Sequence, residues 1–406
     1  MIDVSDALSL ILERADARPP AMKPVGQTPG LVLAEDVASD IDSPPYDKAL
    51  MDGYAVIAAD MRGGTAELQV LEEVVAGDTP REVVVSGTAT RIMTGAPMPD
   101  GADAVVIIER TELIESGDAS TVRISDDAVE AGQNILPQAT SLRKGDVVLR
   151  AGRRLAAVDV GIMSEVGRHE ALVYPQPTVA VLATGNELVP SEQMPGPGQI
   201  RNSNGPMLCA LADKAGGTAV DLGIGRDDEA ELSRLVQQGL EEDVLVLSGG
   251  VSAGVLDLVP KVLQDAGVEP VFHKVRLKPG KPMWFGVAPG TAPNTLVFGL
   301  PGNPVSSLVC FELFVRPALA ALAGHQPGKQ PTVEARLARP HRQRGDRPTY
   351  FPAVLREDSG ETLVEPLDWH GSADLPTLAR ANGLAMFPAG RLGFEQGEPI
   401  SVLLLD

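Results

Sequence analysis

The 406-residue chain is poor in aromatic, histidine and cysteine residues, and each shortage argues against a class of function. Phe, Trp and Tyr make up 3% of the sequence, too few for the stacking surfaces that bind single-stranded nucleic acid. The five histidines are scattered without the spacing of metal ligands, so no zinc site is predicted. Cys209 and Cys310 stand in apolar helical stretches, where a thiol behaves as a small buried hydrophobic group.

Positive charge is also scarce, and long apolar runs are missing. The 34 Lys and Arg residues face 55 Asp and Glu residues, which gives a formal net charge of -21. Such a surface does not bind nucleic acid broadly, because phosphate contacts need distributed basic residues. No apolar run approaches the roughly 20 residues of a membrane span, and the acidic N-terminal segment does not resemble a signal peptide. We expect a cytoplasmic protein with no nucleic-acid partner and no membrane.

The order of helical and β-rich segments predicts an α/β protein of several domains, because one core rarely serves a chain of this length. From residue 177 onward, strands, Gly-rich loops and helices alternate, which predicts a doubly wound, mostly parallel sheet. We expect a helical N-terminal domain (1–40 and 141–176), an inserted β domain (41–140), the α/β domain (177–326) and a C-terminal β-barrel-like domain (327–406).

Four loops leave the carboxyl edge of the predicted sheet, where open α/β folds bind their ligands. They are "TGNE" (184–187), "GRDD" (225–228), "SGGVSAG" (248–254) and "PGNP" (301–304). Their glycines let a ligand approach the backbone, and the helices that follow present N–H groups to an anion. Carboxylates lie in or just after these loops, namely Glu187, Asp227, Asp228 and Asp257. Together these features predict a phosphate ester held with a divalent metal.

Each of these features also has a plain structural explanation. A Gly-rich turn after a strand is usually turn chemistry, and Asp227 and Asp228 could simply cap the next helix. Neither "GIGRDD" nor "SGGVSAG" completes G-x-G-x-x-G, and the chain has no Walker A sequence, so dinucleotide and P-loop functions are not indicated.

One stretch of this acidic chain is cationic. "HKVRLKPGKP" (273–282) contains four Lys and Arg residues and no acid. If "HKVRL" is extended, Lys274, Arg276 and Lys278 share one face. The turn "KPGK" then places Lys278 and Lys281 on either side of a Pro-Gly pair. A charged strand face is often merely solvated, but this turn has no acid nearby, which favours a site for a tetrahedral oxyanion or phosphate.

Seven motifs, in this order and spacing, resemble those of the MoeA-type molybdopterin molybdenumtransferases, a family that includes the E domain of gephyrin. They are "MDGYAV", "RIMTGAPMPDGADAVV", "TGNEL", "GRDD", "SGGVS", "KPGKP" and "GLPGNPVSS". The resemblance covers essentially the whole chain. It implies insertion of molybdenum from molybdate into adenylylated molybdopterin, with Mg²⁺ and release of AMP. It also implies a homodimer whose active cleft lies between the α/β domain of one subunit and the β domains of the other.

The resemblance also implies functional residues. Those implied to be catalytic are Asp52, Thr94, Glu187, Asp228 and Asp257. Those implied to hold the metal are Glu187, Asp227, Asp228 and Asp257. Those implied to bind the anionic substrates are Thr184, Gly185, Ser248, Gly249, Gly250, Ser252, Lys274, Lys278, Lys281, Pro301, Gly302, Asn303, Pro304, Arg347 and Ser372. Within this set, Lys278, Lys281 and Arg347 match the molybdate contacts of plant-type members, and Ser372 is a weaker candidate.

Two departures from the family pattern leave the activity open. An acid that relatives often carry after "GQN" falls here on Thr140 or Ser141, and Asn186 replaces the first acid of "TGDE". A substrate-binding paralogue without turnover is therefore one alternative. A molybdopterin adenylyltransferase is another, because that family shares the α/β domain, and a peptide-binding scaffold is the third. The adenylyltransferase is also a candidate partner protein. The basic residues alone do not decide between molybdenum and tungsten.

Overall fold

The computed structural model describes residues 1–116, 119–250, 258–289, 294–325, 332–343 and 345–405. The chain forms two compact units. The first comprises Met1–Glu35, Gly152–Ala156 and Glu170–Asp406, and the second comprises Asp36–Ala151 and Ala157–His169. The predicted fold class is confirmed: a mostly parallel sheet with helices on both faces, a separate β unit and a C-terminal closed barrel. The division into four domains stays a prediction.

The helices are short, except for one continuous helical segment. They are α1 (Val4–Leu12), α2 (Ala157–Glu165), α3 (Asn204–Lys214), α4 (Glu229–Gly239), α5 (Val259–Asp265), α6 (Pro304–Cys310), α7 (Arg316–Leu322) and α8 (Leu375–Leu378). A π-helical turn, Phe311–Val315, joins α6 to α7. Short 3₁₀ turns occur at Val25–Gln27, Ala58–Met61 and Ile108–Arg110.

The strands before residue 177 are β1 (Ala21–Pro24), β2 (Val32–Leu33), β3 (Val37–Ala38), β4 (Lys48–Ala49), β5 (Gly53–Val56), β6 (Thr65–Val74), β7 (Thr88–Ile92), β8 (Ala104–Ile107), β9 (Thr111–Ser116), β10 (Ala119–Ser125), β11 (Ile135–Leu136), β12 (Val147–Leu149) and β13 (Glu170–Tyr174). In the second unit, β8, β5, β7, β6, β10 and β9 form a six-stranded sheet in that order. Its apolar face packs around Tyr54, Val106 and Val122, so this unit has a core of its own.

The later strands are β14 (Thr178–Thr184), β15 (Leu188–Val189), β16 (Ile200–Arg201), β17 (Thr218–Gly225), β18 (Val244–Ser248), β19 (Glu269–His273), β20 (Trp284–Ala288), β21 (Thr295–Leu300), β22 (Thr332–Leu337), β23 (His341–Arg342), β24 (Thr349–Asp358), β25 (Glu361–Pro366), β26 (Gly383–Phe387), β27 (Gly393–Phe394) and β28 (Pro399–Leu404). Of these, β22, β25, β24, β26 and β28 close the barrel.

The central sheet has the strand order β17-β14-β18-β21-β20-β19. Its first four strands are parallel, and β20 and β19 run antiparallel to them. Successive residues of β14 point to opposite faces, so Val181 packs in a core that includes α1 and α3, while Leu182 packs in a second core with α4 and α5. Both faces are covered, which explains why β14, β18 and β21 are almost continuously apolar.

The helical segment Pro304–Leu322 corrects one expectation. It is long and apolar enough to cross a membrane, although the sequence analysis found no run of that length. In the fold, 78% of its most apolar stretch is buried inside the protein, where α1 packs against it. The apolar composition is therefore accounted for by its place in the core of the first unit.

Candidate active site

Three neighbouring parallel strands end together at one edge of the sheet. Ser248, the last residue of β18, pairs with Ala183 of β14 on one side and with Leu300 of β21 on the other. The backbone N–H of Gly249 then donates to the Leu300 carbonyl at 3.1 Å. The loops "TGNE", "SGG" and "PGNP" therefore start side by side, as the sequence predicted for the carboxyl edge of the sheet.

The two glycines after Ser248 occupy positions that other residues could not take without displacing their neighbours. Gly249 has a φ of +96°, and a Cβ there would lie 2.5 Å from the carbonyl oxygen of Thr184. Gly250 has a φ of +63°, and its Cβ would lie 2.6 Å from a methyl group of Val259 and 2.9 Å from the Thr184 hydroxyl. This loop consequently presents backbone rather than side chains at the edge of the sheet.

Asn204, a residue that the sequence analysis did not select, connects two of these loops. Its Nδ2 donates to the Ser248 hydroxyl oxygen at 2.7 Å and to the Gly302 carbonyl at 2.8 Å. Gly302 itself packs close to Gly249. The capping role belongs to Asn202, whose Oδ1 accepts the N–H of Gly205 at 3.0 Å. Asn204 instead turns inward and is 8% exposed.

The acidic residues of this edge differ in what holds them in place. Asp228 is the N-cap of α4, and its Oδ1 accepts the Glu231 N–H at 2.9 Å. Asp227 donates its backbone N–H to Asn186 Oδ1 at 3.1 Å, which places "GRDD" against "TGNE". Glu187 folds back over Gly185, where a Cβ would meet its carboxylate at 2.5 Å.

The donors in the described part of the chain are compatible with Mg²⁺ that is shared with a substrate phosphate. Among the described residues, no group of three His, Cys, Asp or Glu side chains is arranged to hold a metal. Mg²⁺ usually takes only one or two carboxylates together with substrate phosphates, and the adjoining loops supply Glu187 and Asp228. The predicted residues Ser252 and Asp257 lie outside the described residues.

The cationic stretch is not one extended strand, so the predicted shared face of three cations is wrong. Strand β19 ends at His273, and Lys274 has a φ of +73°. The backbone N–H of Lys274 donates to the Met283 carbonyl at 2.8 Å, and the Lys274 carbonyl accepts the Ile2 N–H at 3.1 Å. These bonds to other segments hold the turned backbone at Lys274. Arg276 points to Asp3, with 3.6 Å between their charged groups.

The "KPGK" turn is attached to the first residues of a barrel strand. The Lys278 N–H donates to the Pro348 carbonyl at 3.0 Å, and the Lys278 carbonyl accepts the Tyr350 N–H at 2.8 Å. Arg347 adds a bond from its Nη1 to the Leu277 carbonyl at 3.2 Å. Cys310, at the end of α6, packs against Gly280, where a Cβ would lie 2.7 Å from the Cys310 sulfur. The turn thus has a defined position between the α/β region and the barrel.

A cavity of about 530 Å³ opens beside this turn. Its described lining consists of Leu277, Lys278, Pro279, Gly280, Lys281, Pro282, Pro301, Asn303, Ser306, Arg342, Gln343, Arg347, Thr349, Phe351, Trp369, Gly371 and Ser372. The predicted residues Lys278, Lys281, Arg347 and Ser372 therefore meet here, while Lys274 is outside the described lining. Arg342 is a further cation that the sequence analysis missed, because it lies in a segment without a motif.

The "PGNP" loop connects the cavity to the sheet edge. Pro301 and Asn303 line the cavity, while Gly302 between them contacts the "SGG" loop. Asn303 Nδ2 donates to the Ser372 hydroxyl at 2.8 Å. Pro304 then begins α6, a position where its missing N–H is not needed. A ligand extending along this loop would contact both the glycine-lined edge and the basic side chains.

Comparison with known proteins decides the family. Residues 2–167 match the MoeA N-terminal region (domain I and II), residues 180–321 a probable molybdopterin binding domain, and residues 334–405 the MoeA C-terminal region (domain IV). A molybdopterin molybdenumtransferase of Staphylococcus aureus (strain Mu50) is 32% identical over 100% of this chain and 96% of that protein. The chain belongs to the molybdopterin molybdenumtransferase family.

Other members of this family agree with that assignment. The molybdopterin molybdenumtransferase of Staphylococcus epidermidis (strain RP62A) is 33% identical, over 93% of this chain and 89% of that protein. The crystal structure of a molybdopterin biosynthesis MoeA protein from Pyrococcus horikosii aligns with a TM-score of 0.85 and 32% identity, covering 100% of this chain and 99% of that one. Both the sequence and the fold of the whole chain are thus those of molybdenumtransferases.

Two further residues implied by the molybdenumtransferase motifs lie in the second unit, where they contact each other. Asp52 Oδ1 accepts the Thr94 hydroxyl at 2.6 Å and the Thr94 backbone N–H at 2.7 Å. These bonds, the side-chain one first, hold the pKa of Asp52 below its ordinary value. Thr140, one of the two residues at which the resemblance led us to expect an acid, donates its hydroxyl to the Pro137 carbonyl at 2.6 Å, so this side chain supports a turn.

Charges around the cavity of this molybdenumtransferase are partly balanced by one carboxylate. Asp346 accepts a hydrogen bond from Arg347 Nε at 2.9 Å, and that bond holds the pKa of Asp346 below its ordinary value. His341 lies behind the cavity wall, where burial and the charges of Arg339 and Lys278 lower its pKa. Its imidazole is therefore neutral at pH 7, and the cationic character of the site comes from the Lys and Arg side chains.

Proposed function

We propose that this protein inserts molybdenum from molybdate into adenylylated molybdopterin, with release of AMP, as its family membership indicates. The observation that carries the proposal is the position of "PGNP": Gly302 contacts the "SGG" loop, while Pro301 and Asn303 line the basic cavity. A small oxyanion in the cavity and a phosphate-bearing pterin along the sheet edge would therefore be neighbours.

The basic side chains would bring two mutually repelling anions together. Molybdate and the phosphorylated pterin both carry negative charge, and Lys278, Lys281 and Arg347 lower the cost of placing them side by side. Ser372, held by Asn303, is a further donor at the cavity. Arg342 adds charge on the barrel side of the same cavity. Binding of the oxyanion should accordingly weaken with ionic strength.

The sheet edge would bind the phosphate-bearing part of the substrate. The backbone at Gly249 and Gly250 allows close approach, and Glu187 and Asp228 would hold Mg²⁺ together with a substrate phosphate. When bound, Mg²⁺ would polarise the phosphoanhydride from which AMP leaves. We assign these residues to orientation of the substrate and its charge rather than to a proton transfer.

The alternative activities fit the molecule less well. An adenylyltransferase would need only the shared α/β domain, whereas the matches to both MoeA terminal regions extend over the flanking parts of this chain. A substrate-binding paralogue without turnover would share this cavity, and the assay of AMP release separates it from the active enzyme. We further propose that the enzyme is cytoplasmic and homodimeric and that it receives its substrate from the adenylyltransferase.

Molybdate-dependent release of AMP tests the proposal. The purified protein would be incubated with adenylylated molybdopterin, Mg²⁺ and molybdate, and AMP would be measured by chromatography. We expect AMP to appear with molybdate and the product to reconstitute a molybdenum enzyme that lacks its cofactor. Tungstate in place of molybdate would measure the metal preference. An absence of AMP in the presence of molybdate would overturn the proposal.

A further inference from the structure

Asn204 holds the two loops of the sheet edge at a set distance. The two hydrogens of its amide nitrogen bond the Ser248 hydroxyl at 2.7 Å and the Gly302 carbonyl at 2.8 Å. These partners are 44 and 98 residues away in sequence and lie in different loops. The Gly302 carbonyl can only accept, so the nitrogen of the amide must face it, and the orientation of Asn204 is determined.

Within the described ranges of the chain, this orientation leaves one buried polar atom without a hydrogen-bond partner. Asn204 Oδ1 is fully covered and has no hydrogen-bond partner among the described residues. A buried carbonyl in that state is destabilising, which offsets part of what the two donor hydrogen bonds contribute to stability. The contacts that the amide nitrogen makes are therefore the reason for this side chain at this position.

We infer that Asn204 is a positioning residue for the molybdopterin substrate, acting through Ser248 and Gly302. This inference rests on the proposed function. The glycine backbone after Ser248 and the "PGNP" loop are adjoining surfaces that would both contact the substrate. Without the amide, the two loops lose their common anchor, and their relative position, which would orient the substrate, is no longer fixed. The cationic turn of the oxyanion cavity does not depend on this contact, because it is anchored to the barrel strand, whereas Pro301 and Asn303 of the cavity lining belong to the same loop as Gly302.

The test compares Asn204→Ala with Asn382→Ala, a control at an exposed position. Asn382 also makes two side-chain hydrogen bonds, to the backbone of Leu355 at 2.6 and 2.9 Å, but it lies in the barrel region. We expect Asn204→Ala to raise KM for adenylylated molybdopterin about tenfold, with kcat changed less than about twofold, because two neutral hydrogen bonds are lost. Asn382→Ala should lower Tm without moving KM or the affinity for molybdate. In Asn204→Ala the loss of affinity should be smaller for molybdate than for molybdopterin, because the turn that carries Lys278 stays anchored to the barrel strand.

Two more variants test the inference without relying on Asn204→Ala to fold. Asn204→Asp replaces the donor by an acceptor that faces the Gly302 carbonyl, so KM should rise at least as far as in Asn204→Ala. Ser248→Ala breaks one of the two contacts from the other side, and we expect an intermediate rise of about threefold. Equal KM values in the Asn204 and Asn382 variants, or a fall in kcat alone, would overturn the inference.

Direct binding separates this inference from the proposed function. Molybdopterin without the adenylyl group can be titrated anaerobically against each variant, with no turnover required. If the wild type releases no AMP, the proposed function fails. The Asn204 inference then still predicts weaker molybdopterin binding in Asn204→Ala than in Asn382→Ala, and equal binding would overturn it.

Discussion

The sheet edge and the basic cavity adjoin at the "PGNP" loop, but the first is defined by the shape of its backbone and the second by its charged side chains. At the sheet edge, backbone at Gly249 and Gly250 and one buried amide, that of Asn204, define the surface. In the cavity, exposed and half-buried cations such as Lys278 and Lys281 stand on a turn tied to a barrel strand. The first region should therefore respond to changes of shape and the second to changes of charge.

The largest expected effect is removal of charge from the cavity. The double variant Lys278→Ala, Lys281→Ala should weaken molybdate binding about a hundredfold, because each charge-assisted hydrogen bond contributes about 1.5–3 kcal/mol. Isothermal titration calorimetry with molybdate measures it. Lys261→Ala is the control, since Lys261 pairs with Glu229 at 2.7 Å and is outside the described lining of the cavity. Unchanged molybdate affinity in the double variant would show that the cavity is not the oxyanion site.

A smaller effect is expected from a change of shape at the sheet edge. Gly250→Ala should weaken molybdopterin binding about tenfold and lower Tm, because overpacking costs about 1–3 kcal/mol and the new methyl group meets Val259 at 2.6 Å. Molybdate affinity should stay at the wild-type value. Thermal denaturation and titration of both ligands measure the three quantities.

Gly216→Ala is the matched control for that variant. Gly216 has a φ of +86°, but nothing lies within 4 Å of the position of its Cβ, so only the backbone cost applies. We expect a smaller fall in Tm and no change in either affinity. If the two alanine variants behave alike, the shape of the "SGG" loop does not determine substrate binding.

The smallest effect is expected from the carboxylate beside the cavity. Asp346→Asn removes a negative charge near Arg347 and Lys278 while keeping an acceptor for the Arg347 Nε. Molybdate affinity should rise about two- to threefold at low salt and converge with the wild type at high salt. Because the pKa of Asp346 is lowered, its carboxylate is ionised from pH 5 upward, and the gain should be the same from pH 5 to 8. Weaker binding would mean that Asp346 mainly orients Arg347.

Sequence reasoning succeeded where local pattern and tertiary structure agree. The apolar run ending at Thr184 is a buried strand, and the glycines after Ser248 lie at the predicted edge. It failed where distant contacts override a local pattern. Alternation along "HKVRL" suggested one charged face, but bonds from Ile2 and Met283 turn the chain at Lys274.

The residues that reasoning from motifs did not find share a physical property. Asparagine is common at the start of a helix, so the residue type at position 204 suggests only a cap. Its hydrogen bonds to Ser248 and Gly302, which lie 44 and 98 residues away in the sequence, distinguish it from one. Arg342 lies in β23, a strand without a motif that pairs with β27 outside the closed barrel, and it lines the same cavity as the "KPGK" turn. Neither contact leaves a periodic or compositional signal.

By itself, the sequence determined the class of protein, the order of its structural regions and the small set of loops that carry chemistry, because these depend on hydrophobic periodicity, turn residues and motif spacing along the chain. Only the tertiary structure decided which cations share a cavity and which glycines have no room for a methyl group. It also decided that Asn202 hydrogen-bonds the start of α3, whereas Asn204 hydrogen-bonds two loops of the sheet edge. Those outcomes depend on distances between segments far apart in sequence, and such distances exist only once the chain has packed.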